Sequence, residues 1–216
     1  MKLYLYDHCP FCVRAEMVGH YKEVPFQTVY LPNDDEETCY RLVNAKQVPI
    51  LEFDDGSAMP ESLDIAIRFD IMGNTAKTIT PKEGADAIVE HINTVADATR
   101  CLLFPRDIML EELPEFATQS AKDYFRAKKE ATIQRTFEQA MQETEQHKTA
   151  VEKMFATLPQ LPRHEDGCLN WDDVLIYPML RNLTMVKDLH FPQPVLDYIN
   201  NVSQMTKTHT YFDRAI

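Results

Sequence analysis

Residues 2–6 alternate leucine with polar or aromatic side chains, the period of two that marks a strand, and from Cys9 to about Tyr21 the apolar positions Val13, Met17 and Tyr21 recur at helical spacing. A second β-prone run, residues 26–31, follows Pro25, and the acidic residues 34–37 open a helix expected to end near Ala45. Residues 48–53 and 58–59 read as short strands around a turn whose Asp55-Gly56 step favours a hairpin. Pro60-Glu61-Ser62 then leads into a helix with Leu63, Ile67 and Ile71 on one face. The order to about residue 72 is βαβαββα, with a parallel first pair.

Residues 73–82 are turn-rich and lack helical periodicity, so a linker is expected there between one domain at 1–72 and a second at 83–216. Strand-like alternation disappears beyond it. Helices are expected over 83–103, 115–157, 170–187 and 193–207, with breaks at Pro105, Pro114, the Pro159/Pro162 pair and Pro192. The expected fold is therefore an α/β domain followed by an all-α domain.

Charge narrows the partners. With 22 Lys and Arg against 34 Asp and Glu, the 216-residue chain carries −12 at neutral pH, which argues against a nucleic-acid ligand whose phosphates need cations. The N-terminus has no basic region followed by an apolar stretch, and no run approaches the ~18 apolar residues of a membrane span, so a cytoplasmic protein without a membrane partner is expected. Five cysteines are too few and too odd a number for a secreted disulfide framework. Two of them form Cys9-Pro10-Phe11-Cys12, which is either redox-active or metal-binding. A structural zinc needs four ligands, and the other cysteines and seven histidines are scattered without a second CxxC or HxxxH, so no metal is expected.

Pro10 fits the first helical position, which puts Cys9 at the N-cap, where backbone N–H groups and the positive end of the helix stabilise a thiolate. Cys12 lies one turn inside the helix, shielded but close enough to attack a mixed disulfide on Cys9. Cys9 is thus the expected nucleophile and Cys12 the resolving thiol.

Cys9-Pro10-Phe11-Cys12 after a first strand, Gln47-Val48-Pro49-Ile50-Leu51 at a third, and Pro60-Glu61-Ser62 opening a helix together resemble the thioredoxin-like half of glutaredoxins and glutathione transferases. Over its whole length, with Tyr6-Asp7-His8-Cys9-Pro10 and Pro178-Met179-Leu180-Arg181-Asn182-Leu183-Thr184 as further matches, the chain resembles the bacterial glutaredoxin 2 type, a monomeric glutaredoxin of glutathione-transferase-like architecture. The resemblance implies a thiol-disulfide oxidoreductase that uses glutathione as reducing co-substrate and acts on protein disulfides and glutathionylated proteins. It implies a cis Pro49, with Val48 pairing its backbone to the cysteinyl part of glutathione, and a Glu61-Ser62 pair that meets the γ-glutamyl end. Phe11 would form an apolar wall. Lys22, Lys46 and Gln47 are options for the glycyl carboxylate.

Asn170-Trp171-Asp172-Asp173 has the form of an N-capping box. Cys39, Cys101 and Cys168 are expected to be structural, and His8 to face solvent without a catalytic part. The rival readings are a glutathione transferase or dehydroascorbate-reductase-like enzyme, and a regulatory binding protein of transferase fold without activity. The cysteine pair at the strand-to-helix turn favours exchange over both.

Overall fold

β1 (Lys2–Leu5), α1 (Pro10–Tyr21), β2 (Gln27–Tyr30), α2 (Glu36–Val43), β3 (Ile50–Glu52), β4 (Ala58–Met59) and α3 (Ser62–Met72) follow one another as βαβαββα. The computed structural model describes residues 1–164 and 167–216. The sheet runs β2-β1-β3-β4. β1 is parallel to β2, with Leu3 opposite Thr28, and antiparallel to β3, with Leu3 opposite Leu51. A parallel neighbour needs a crossover, and α1 supplies it.

Alternation along β1 divides two cores. Leu3 and Leu5 join Val13, Met17, Ile65 and Phe69 on one face, and Tyr4 and Tyr6 join Leu31, Cys39 and Ile50 on the other. On α3 the buried apolar residues are Ile65, Ala66 and Phe69, whereas Leu63, Ile67 and Ile71 are 38%, 47% and 69% exposed. The apolar stripe visible in the sequence is thus the outer face of that helix. The inward positions are set by packing on α1, where Gly19 lets Phe26 and Phe69 approach within 2.5 and 2.9 Å of where a Cβ would stand.

The helical half comprises α4 (Ala85–Asn93), α5 (Ala96–Asp107), α6 (Gln119–Ile133), α7 (Phe137–Gln142), α8 (Thr144–Ala156), α9 (Trp171–Leu183) and α10 (Gln193–Thr206). Two expected helices are broken. The 83–103 segment divides after Asn93, and 115–157 divides twice, first at Gln134, whose φ of 55° stops α6 before a Thr136–Gln139 capping box starts α7. Pro105 does not break α5. It stands in the last turn, where Arg106 Nη1 donates to the Leu102 carbonyl at 2.8 Å. Residues 73–82 are tied down by β5 (Ile79–Thr80), which pairs in parallel with β6 (Leu169–Asn170), too short to show alternation in the sequence.

The Asn170 box forms as its residues suggest: Asn170 accepts from Asp172 N at 2.7 Å, and Asp173 accepts from Asn170 N at 2.8 Å. Asp172 then reaches back to accept from Glu83 N and Gly84 N, capping α4 where Gly84 has no side chain to do so. α9 packs against α1, and that contact carries the helical half to the active turn.

Candidate active site

The chain leaves β1, turns through residues 6–9 and enters α1 at Pro10, leaving Cys9 at the N-cap with extended φ −76° and ψ 116°. The first-turn N–H groups of Phe11 and Cys12 favour its thiolate, although Cys9 makes no side-chain capping hydrogen bond. The Cys9 thiol is lowered to a pKa of about 6, chiefly by a hydrogen bond from the Cys12 thiol, which outweighs the cost of burial together with the charge of His8 and those two N–H groups. Cys12 moves the other way, well above its ordinary value, because it is buried and donates to Cys9. Its sulfur, in a residue 1% exposed, also accepts from Tyr6 N at 3.4 Å. One thiolate and one thiol therefore coexist at neutral pH, in the order that exchange requires.

His8 does not face solvent. It is 9% exposed, stacks on Tyr6 with ring centroids 5.8 Å apart, and meets Phe116 and Phe125 at 5.1 and 5.4 Å. Pro114–Phe116 form a short 3₁₀ turn that brings Glu115, fully buried, against it. Glu115 Oε1 accepts from His8 Nδ1 at 2.6 Å and from His8 N at 3.1 Å, while Oε2 has no hydrogen-bond partner among the described residues. Burial disfavours the imidazolium, but Asp107 and Glu115 prevail and raise the His8 pKa to about 9. Asp107, 3% exposed, is itself pushed up to about 7 by burial. Next to the nucleophile stands a charged histidine in an aromatic box, held by carboxylates from the helical half.

α9 grips the same turn. Arg181, 1% exposed, donates through Nη1 to the Asp7 carbonyl at 2.9 Å and through Nη2 to Asp7 Oδ1 at 3.0 Å, and Asn182 Nδ2 donates to the His8 carbonyl at 2.5 Å. Tyr211 also donates to Asp7. Burial raises the cost of ionising Asp7, yet His209, Arg181 and Tyr211 outweigh it and hold the carboxyl below its usual range. These partners lie beyond any local pattern. Arg181 and Asn182 were visible only as part of a matching motif, and Glu115 and Asp107 left no signal.

The other site residues singled out in the sequence all belong to the sheet-containing half. The Val48–Pro49 peptide bond is cis, Pro49 is buried, and Val48 and Cys9 both pack against the Tyr4, Tyr6 and Ile50 core. Glu61 is exposed with φ 73°, a region side chains rarely adopt, and Ser62 begins α3 at 8% exposure. Lys22 points elsewhere: it is 4% exposed, pairs with Asp70 at 2.8 Å and donates to the Lys77 carbonyl, so it has no free charge for a carboxylate. Lys46 Nζ donates to Tyr6 Oη at 2.6 Å and to the Asp35 carbonyl. Phe11, 52% exposed, lies beside Cys9 on the wall of a cleft of about 430 Å³ that reaches α4, α5 and α9.

A thioredoxin-like sheet with a dithiol at the head of its first helix, joined to a helical bundle, defines a glutathione-transferase-like protein equipped for disulfide exchange. Residues 8–70 match the glutathione S-transferase N-terminal domain, and residues 87–215 match the C-terminal domain of glutaredoxin 2. Glutaredoxin 2 of Escherichia coli K12 is 36% identical over 219 aligned positions covering all of both chains. The structure of glutaredoxin 2 from Salmonella typhimurium, solved in complex with glutathione, superposes with a TM-score of 0.88 at 36% identity, over 100% of this chain and 98% of that one. A glutathione transferase from Phanerochaete chrysosporium, 11% identical with 94% and 96% covered, shares the fold at a TM-score of 0.65. The chain belongs to the glutaredoxin 2 family and is a glutathione-dependent oxidoreductase.

Proposed function

We propose that Cys9 and Cys12 are the working dithiol, and that the chain reduces protein disulfides and glutathione mixed disulfides with glutathione as the electron source. The Cys9 thiolate attacks one sulfur of the substrate disulfide, forming a Cys9 mixed disulfide and releasing the other sulfur as a thiolate. Cys12 loses its proton and attacks Cys9 Sγ, expelling the second substrate thiolate and leaving a Cys9–Cys12 disulfide. One glutathione thiolate then opens that bond to a Cys9–glutathione disulfide, and a second attacks its glutathione sulfur, restoring the Cys9 thiolate as glutathione disulfide departs. For a glutathionylated protein the middle step is dispensable.

The observation that carries this reading is the opposite displacement of the two thiols, Cys9 down to about 6 and Cys12 well above its ordinary value. In a conjugating transferase the activated thiol is that of glutathione, and a protein thiolate at the helix start would compete with it. Glutathione is assigned to Val48, Pro49, Glu61, Ser62 and Phe11. The φ of 73° at Glu61 supports that assignment, because such a conformation costs about 1–3 kcal/mol and persists where a ligand clamp needs it. The head of α3 also offers N–H groups to a carboxylate. The test is glutathione-coupled reduction of a small disulfide and of a glutathionylated peptide by wild type, Cys9→Ser and Cys12→Ser. Cys9→Ser is expected to be inactive on both, and Cys12→Ser active on the glutathionylated peptide alone. Turnover by Cys9→Ser, or conjugation of an aryl halide faster than disulfide reduction, would overturn the proposal.

A further inference from the structure

Cys9 opens onto a cleft that Phe11 lines but that none of the other residues assigned to glutathione, Val48, Pro49, Glu61 and Ser62, reaches. Its walls are apolar at Phe11, Leu103, Phe104 and Met179, and its charged rim carries Arg14, Arg100 and Lys129. Asp107 is the one carboxylate among the lining residues, it is 3% exposed, and His8 and Lys129 offset its charge. Besides the charged His8 and the Cys9 thiolate at its mouth, the lining thus holds three cations against one buried acid, in a chain with 22 basic and 34 acidic residues. Among the described residues none of the three cations makes an ion pair or a hydrogen bond: Arg14 lies over the Phe11 ring at 4.7 Å with Nε buried and unpartnered, and Lys129 lies over the Phe104 ring at 4.8 Å. By contrast Arg126, Arg135 and Arg181 each meet a carboxylate within 3.2 Å.

Disulfide exchange needs the attacking, central and leaving sulfurs in line, so when Cys9 attacks the glutathione sulfur of a glutathionylated protein, the protein sulfur departs from the side of that central sulfur away from Cys9. Glutathione on the Val48 and Glu61 side leaves this cleft for the other half of the substrate. Building on the disulfide-reductase reading, we infer that the cleft receives the substrate polypeptide and selects cysteines flanked by Asp or Glu, which Arg14, Arg100 and Lys129 bind while a neighbouring apolar side chain rests on Phe104 and Met179. Unpaired cations in a net-negative molecule repay least elsewhere and most at an acidic ligand, since both steering and final contacts gain.

The test uses three glutathionylated peptides that differ only in the two residues flanking the cysteine: Glu, Gln or Lys. Wild-type kcat/KM is expected to follow Glu above Gln above Lys, by roughly two- to fivefold for each charge engaged, the range of a part-exposed ion pair. The preference should shrink as salt is added. In the Arg100→Gln/Lys129→Gln double variant the Glu-to-Gln ratio should fall toward one, while Lys153→Gln, on a remote helix, keeps the wild-type ratio. Equal rates on the three peptides, or a Glu preference undiminished in the double variant, would overturn the inference while leaving disulfide reduction standing. No turnover of any peptide or of a small disulfide would overturn the disulfide-reductase reading, and the cleft assignment with it.

Discussion

The sheet-containing half and the helical half make opposite kinds of contribution to the active turn, from Asp7 to Cys12. The first half presents its chemistry locally: Cys9, Pro10 and Cys12 lie within one turn, and a backbone rule alone places one sulfur at the helix end and the other inside it. The second half contributes no atom to the exchange reaction as written, yet it supplies Glu115, 107 residues away, together with Asp107 around His8, and Arg181 and Asn182, each 174 residues away, on the Asp7 and His8 carbonyls. The difference teaches that a nucleophile's identity can be local while its charge environment is not. A thioredoxin-like half on its own would keep the dithiol and lose the groups that keep His8 charged.

Breaking each side in turn separates them. Cys9→Ser has the largest expected effect, complete loss of glutathione-coupled disulfide reduction with the fold intact, read by turnover and circular dichroism. Arg181→Met comes next: it leaves the buried Asp7 carboxylate facing Tyr211 and His209 alone, and removing one partner of such a pair costs about 3–5 kcal/mol, measurable by denaturant unfolding. If stability were unchanged, α9 would not be what holds the active turn.

Glu115→Gln sharpens the comparison by touching only charge. It keeps an oxygen for His8 but removes the anion, so the His8 pKa should fall from about 9 and the Cys9 pKa should rise from about 6, with turnover declining at pH 7 and recovering as pH is raised. An unchanged pH profile would limit the helical half to a scaffold.

The pH dependence of stability in the reduced protein follows from the same pair. Cys9 is depressed from 9.0 to about 6, so between those values the unfolded chain binds more protons and stability from this group rises with pH. His8 is raised from 6.5 to about 9, so in that window the folded chain binds more protons and its contribution is lost as pH rises. The two slopes oppose each other in wild type. Cys9→Ser removes one, and its unfolding free energy should fall between pH 6.5 and 9 more steeply than that of the parent. The smallest expected effect is Asn170→Ala, about 1 kcal/mol for one lost cap, with activity retained.

Legibility divides along the same line. The βαβαββα order, the N-cap cysteine and the Asn170 box could be read because each rests on residues within a few positions of one another. Leu63, Ile67 and Ile71 share one face of α3 as their spacing suggests, but spacing does not say whether that face is buried, and only the tight α1–α3 approach turns it outward. His8 misled because nothing near it in sequence predicts Glu115, Phe116 and Phe125 closing over it. Lys22 looked available until Asp70 and Lys77 were found around it.

The central claim, that the Cys12 thiol, the charged His8 and the helix end hold Cys9 as the reactive thiolate, is tested most directly by the ultraviolet thiolate absorbance of the reduced protein against pH. Wild type should show a single thiolate appearing with a midpoint near 6, retained in Cys12→Ser with an altered midpoint and absent in Cys9→Ser. A wild-type protein that gains no thiolate signal until the pH reaches the range of an ordinary cysteine, about 8.5, would contradict the account.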